Sequence, residues 1–303
     1  MKKIFFPVFF FITASLCAFP GLSNEPGSHY DITQTSLKED YDTTFGKIIT
    51  VRMIPLFGIE RYDYENARLS DIICYASGGP DLYYFGKLFP HSMTEDYDYS
   101  KDFTEQQVVD IEKAALDKYF DYVSYVLNLF VEELSEGHNR EAAYMLGFYL
   151  HTYEDLFSHN GITDSQHLYL NELGVNPDYS KDNYDQAVEG VKQFLETFPE
   201  NIYDSTLKDK FMFLVTSDKV VDVLSPSEVK ELLGRKMDIY WEGIKYQFFT
   251  SSSEDCMKYC DQIRWDSDAI IKLMNTKEGL GLVLAYGSKH NLQELLDYSG
   301  YEF

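Results

Sequence analysis

The chain has 303 residues, with 50 acidic against 26 basic side chains and a formal net charge of −24. That balance excludes a broad basic face for nucleic-acid backbones and argues against attraction to anionic lipid. Aromatic residues make up 16% of the chain, 25 Tyr and 22 Phe among them, which reads as bulky packing between helices with some Tyr lining a cleft.

The first segment has the layout of a signal peptide: Lys2 and Lys3, an apolar run from Ile4 to Ala18, then Pro20, Gly21 and Ser23. Cleavage is expected after Ser23 or after Ala18. Ala14-Ser15-Leu16-Cys17 is a poor lipidation site, because a bulky Leu precedes the cysteine. Removing residues 1–23 takes away two Lys and no acid, so the formal charge passes from −24 to −26. No later stretch is apolar for long enough to span a bilayer, and the mature chain, 24–303, reads as soluble and secreted or periplasmic.

Seven histidines are few enough to follow one by one. His29 lies in GSHYDITQTSL, before a stretch able to start a helix, and His91 comes ten residues after Asp81 in PDLYYFGKLFPHS. Asp31 is assigned to the first turn of that helix as a charge rather than as a ligand. Thr104 with Gln107 makes a capping-box start, and the apolar spacing from Val108 to Phe130 carries a helix to about Glu136, where Gly137, His138 and Asn139 break it.

A second helix is expected from near Arg140, apolar almost all round and therefore central and buried. Within it His151, Asp155 and His159 recur every four residues. Each such step drifts only about 40° around the axis, so the three side chains share one stripe. Two imidazoles and a carboxylate on an apolar helix need something to neutralise them, and they are donors that Zn²⁺ prefers. Glu154 points some 100° away from Asp155. His167 follows in DSQHLYLNEL, and the six or more donors together exceed what one zinc can use.

Further on, residues 184–198 form an amphipathic helix stopped by Pro199, and Ser225-Pro226-Ser227-Glu228 starts another with cap, first-turn Pro and Glu in sequence. A last helix covers about 254–275. Cys256 and Cys260 in CMKYC have poor geometry for a mutual disulfide and read as two half-buried helix positions, with a metal as the lesser reading; pairing of Cys74 with either stays open. His138 and His290 sit in turn-like settings and are assigned to the surface. No alternating strand pattern recurs, so the fold class is all-α, as a single body or with a helical extension after about residue 200.

Three pieces in order resemble the superfamily of zinc-dependent phospholipase C and P1-type nuclease. They are His29-Tyr30-Asp31-Ile32-Thr33, Pro80-Asp81 with His91, and Leu150 through Gly161, which is similar to the branch reading LHTY-x-D-x-[FW]-[SA]-H-x-G. The resemblance covers roughly the first half of the chain and ends at about Glu172. It implies a helical bundle with up to three zinc ions in a cleft. In that scheme Asp81, His91, His151 and Asp155 hold one ion, Asp155 bridges to a second that takes His29, and His159 and His167 hold a third.

Zinc lowers the pKa of its water to ~7, so the implied reaction is phosphoester hydrolysis, with Asp81 orienting or deprotonating the attacking water. The substrate is expected to be a phospholipid or small phosphodiester, with no stable nucleic-acid partner. A P1-type nuclease and a non-catalytic zinc-binding member are the alternatives. Two departures stand out. Where members place a carboxylate four residues after the last His, this chain has Asn171, with Glu172 one step further; and no Trp begins the mature chain, although the Asn24 amine would lie five residues before His29.

Overall fold

A computed structural model describes residues 27–37, 50–54, 59–63, 66–80, 89–175, 177–202, 204–234, 255–287 and 291–303. The signal-peptide segment, Asn24, Asp81 and His290 lie outside the described residues. Helix dominates, in agreement with the all-α expectation.

The longest helix is α3, Glu105–Glu136, after α1 (His29–Leu37) and α2 (Leu69–Ser77). Thr104 caps it reciprocally with Gln107, and Gly137 ends it at φ 83°, a left-handed turn that a Cβ would strain. The chain then reverses into α4, Asn139–Ser158. From Ala142 to Leu156 every residue of α4 is buried, which is why its sequence is apolar all round. It packs against α1, α2, α3 and α6 (Lys181–Asn201).

The approach to α2 is close, and Gly147 makes it possible. A Cβ there would lie 2.5 Å from Ile73 O and 2.6 Å from Ala76 Cβ. On the opposite side, Tyr149, Phe194, Phe198 and Phe211 stack in series with ring centroids 4.7, 5.1 and 5.0 Å apart. Phe211 belongs to α7, Ser205–Thr216. Elements after residue 200 bury side chains in the same continuous core: Val229 and Leu233 of α8 (Pro226–Leu233), Leu273 of α9 (Ser267–Asn275), Val283 of α10 (Lys277–Leu284) and Leu296 of α11 (Leu292–Ser299).

Several boundaries differ from expectation. The helix around 184–198 begins at Lys181, capped by Ser180, and runs through Pro199 to Asn201. A proline so near the end forfeits one helical bond with little left to disrupt, and its ring is buried. The expected helix at 254–275 is instead a 3₁₀ turn, Asp255–Tyr259, followed by turns and then α9. Trp265 interrupts it, since its backbone N–H bonds Asn160 O at 3.1 Å and its ring centroid lies 5.1 Å from that of Tyr119.

Short strands also occur that no sequence pattern announced. β1 (Thr50–Ile54) pairs antiparallel with β2 (Ile59–Asp63), and β3 (Asn66–Arg68) pairs with β4 (Val220–Asp222). Cys256 and Cys260 are buried rather than half-buried, and Cys74 is buried as well.

Candidate metal centre

His151, Asp155 and His159 do share one face of α4. His151 and Asp155 sit a turn apart, and His159, first residue past the helix, keeps helical backbone with its N–H on Asp155 O at 2.9 Å. All three are fully buried. His29 enters as the first residue of α1, and His91 ends a 3₁₀ turn, Phe89–His91. His167 lies in α5, Asp164–Glu172, directly after the capping box of Thr163 and Gln166.

The backbone that brings these elements together is bent at the ligands. Ser92 (φ 52°) and Asn160 (φ 48°), next to His91 and His159, are left-handed non-glycine residues. Such backbone costs about 1–2 kcal/mol each and persists only where neighbours enforce it. Ser92 Oγ donates to Thr152 O at 2.9 Å, and Gly161 N donates to Ser92 O at 2.8 Å. Gly161 is itself at φ 81°, with Trp265 Cδ1 2.4 Å from where a Cβ would stand. The motif glycine is therefore needed twice, for its backbone and for its missing side chain.

Asp155 is the hub. Its Oδ1 lies 3.2 Å from His29 Nε2, and its Oδ2 lies 3.2 Å from both His91 Nδ1 and His151 Nε2. His91 Nδ1 and His151 Nε2 are 2.9 Å apart. A second group adjoins the first: His159 Nε2 and His167 Nε2 stand 3.3 and 3.0 Å from Asp178 Oδ1. Two buried clusters, His29/His151/Asp155 and His159/His167/Asp178, can thus hold metal ions.

Asp178 was not singled out in the sequence. It takes the place expected for a carboxylate at Asn171 or Glu172, both of which are exposed. Helix α5 ends at Glu172, Gly174 turns left-handed, and the 3₁₀ turn Pro177–Tyr179 returns Asp178 to His167. Asn176-Pro177 was the available turn signal.

Tautomers sharpen the chemistry. His151 Nδ1 lies 2.6 Å from Ser77 O, and His159 Nδ1 lies 2.6 Å from His91 O. Carbonyls only accept, so each Nδ1 carries the proton and a neutral ring presents its Nε2 lone pair. His29 Nδ1 meets Glu154 Oε2 at 2.6 Å, which accepts likewise when the carboxyl is ionised. All three Nε2 atoms then face carboxylate oxygens at 3.2–3.3 Å. Acceptor facing acceptor requires a cation or extra protons between them. Donors of a tetrahedral zinc at ~2.0–2.1 Å are separated by roughly 3.3 Å, close to these spacings. Asp155 Oδ1 and His159 Nε2 are buried with no hydrogen-bond partner, which suits atoms able to hold a cation.

Electrostatics point the same way. Burial opposes charge on His29, but Asp155 and then Glu154 outweigh it and hold the imidazole well above its ordinary value. Burial likewise opposes ionisation of Asp155, and His151 and His29 overturn it, holding the carboxyl well below the usual range. His159 is raised against burial by Asp178 and Asp155. His91 is lowered by burial. A carboxylate field able to retain protons on buried imidazoles is one able to retain a divalent cation.

Asp31 lies in the first turn of α1, as expected, and its Oδ2 accepts from Gly27 N and, across to α6, from Tyr184 OH. His138 is exposed beside Glu133. No family model, curated protein or solved structure matches the chain.

Proposed function

We propose that this chain is an exported zinc-dependent phosphoesterase of phospholipase C type. Two to three Zn²⁺ ions would be held by His29, Asp81, His91, His151, Asp155, His159 and His167, with Asp178 added. The observation that carries the reading is the set of three tied imidazoles whose Nε2 atoms face carboxylate oxygens at 3.2–3.3 Å. Nitrogen and oxygen donors in a buried pocket suit zinc over calcium or magnesium, which take oxygen alone.

Bound zinc supplies a water of lowered pKa and polarises a phosphoryl oxygen. Asp155 presents one oxygen toward His29 and the other toward His91 and His151, so a single carboxylate serves two positions. Asp178 closes the position of His159 and His167. Asp81, assigned from the resemblance, would orient or deprotonate the attacking water. The charge of −24 favours a small or zwitterionic phosphodiester over nucleic acid, which ranks the nuclease reading lower.

Chromogenic phosphocholine, phosphodiester and single-stranded DNA substrates test this, with Asp81→Asn expected to retain much of its zinc while losing most hydrolysis. A non-catalytic zinc-binding member is the second reading, favoured because His29, His151, Asp155, His159 and His167 are all 0% exposed. Full zinc binding with no hydrolysis by the wild type would put that reading first.

A further inference from the structure

Glu154 adjoins the hub Asp155 on α4 yet lies off the ligand stripe, and it is fully buried. A carboxylate so placed must have partners. Both of them come from α1: His29 Nδ1 at 2.6 Å from Oε2, and Thr33 Oγ1 donating to Oε1 at 2.6 Å. His29 and Thr33 are four apart, so Glu154 grips one face of α1 with both oxygens. The tied nitrogens of His151 and His159 rest on neutral carbonyls, Ser77 O and His91 O. Among these three, only His29 rests on a carboxylate.

We infer that Glu154 is a positioning residue that fixes the Nδ1–H tautomer of His29 and aims its Nε2 at the metal. An anionic acceptor behind a ligand imidazole raises its basicity and locks its orientation. His29 comes from a short helix with no other ligand on it, so its pose depends on this grip more than that of ligands built into α4. The inference rests on the metal reading.

The test is zinc competition titration of the full chain as wild type, Glu154→Gln and Thr33→Val, together with ¹⁵N NMR of the histidine rings in the zinc-loaded wild type. Glu154→Gln keeps size and an acceptor but removes the charge. It should weaken one zinc class about 10–100-fold and leave the His159/His167/Asp178 class unchanged. Thr33→Val loosens the α1 grip without touching the His29 bond, so it should lower the melting temperature while changing zinc affinity far less. In the wild type, His29 should show Nδ1 protonated and Nε2 bound.

Equal affinity of wild type and Glu154→Gln, an equal loss in Thr33→Val, or a reversed His29 tautomer in the wild type would each overturn the inference while leaving zinc binding in place. A wild type that binds no zinc would instead remove the metal reading beneath it.

Discussion

Gly147→Ala links packing to the centre. The added Cβ would fall 2.5 Å from Ile73 O, 2.6 Å from Ala76 Cβ and 2.8 Å from Ala76 C. Two of those three atoms are α2 backbone and cannot swing aside as a side-chain end could. Helix propensity favours Ala over Gly by about 1 kcal/mol, whereas overpacking a filled core costs about 1–3 kcal/mol and here must push whole helices apart. With backbone in the way the cost falls in the upper part of that range, for a net loss of about 1–2 kcal/mol and, in a chain of this length, a melting temperature lower by roughly 2–3 °C. Ser77, next to Ala76, carries the carbonyl that ties His151 Nδ1 at 2.6 Å. Displacing α2 therefore also frees that ring. Differential scanning calorimetry with zinc titration should show lower stability together with weaker zinc at the His151 cluster. An unchanged or raised melting temperature would refute the packing argument, and a lower one with unaltered zinc affinity would refute the link to His151.

Asp178→Asn should weaken zinc at His159 and His167 by at least tenfold in competition titration, whereas Asn171→Glu should leave affinity and stoichiometry unchanged because Asn171 is exposed. Glu112 gives a pH signature away from the metal: it is 3% exposed, accepts from Tyr301 OH at 2.5 Å, and burial pushes its pKa up to about 7, against that bond. With the folded value above the unfolded one, its stability contribution is complete below about pH 4.5 and lost as pH rises through about 7. Glu112→Gln should accordingly gain on wild type by about 1–3 kcal/mol between pH 4 and 8 in urea melts, and a constant difference would contradict the assignment.

Much of the helical frame was legible because it is local. The Thr104 box, the Gly137 stop and the Ser225 box are each written within a few residues, and each forms. The four-residue spacing of His151, Asp155 and His159 likewise requires only α4. What escaped the sequence depends on distant partners. Trp265 breaks an expected helix because it fills the space beside Gly161, some hundred residues earlier in the chain. Asp178 reaches His167 through a turn, outside any i, i+4 rule, and so went unseen while Asn171 drew attention. Glu154 looked misplaced on its own helix because the face it serves belongs to α1. The paired short strands had no pattern long enough to register.

The most direct measurement is zinc content per chain, by mass spectrometry of metals, for purified wild type and Asp155→Asn after equilibration with buffered zinc. Asp155 faces His29, His91 and His151 together. A metal centre built on it should give at least two zinc ions in the wild type, and in Asp155→Asn the loss of those at His29, His91 and His151 with the His159/His167/Asp178 ion retained. Folded wild type that takes up no zinc, or Asp155→Asn that holds the full wild-type complement, would contradict it.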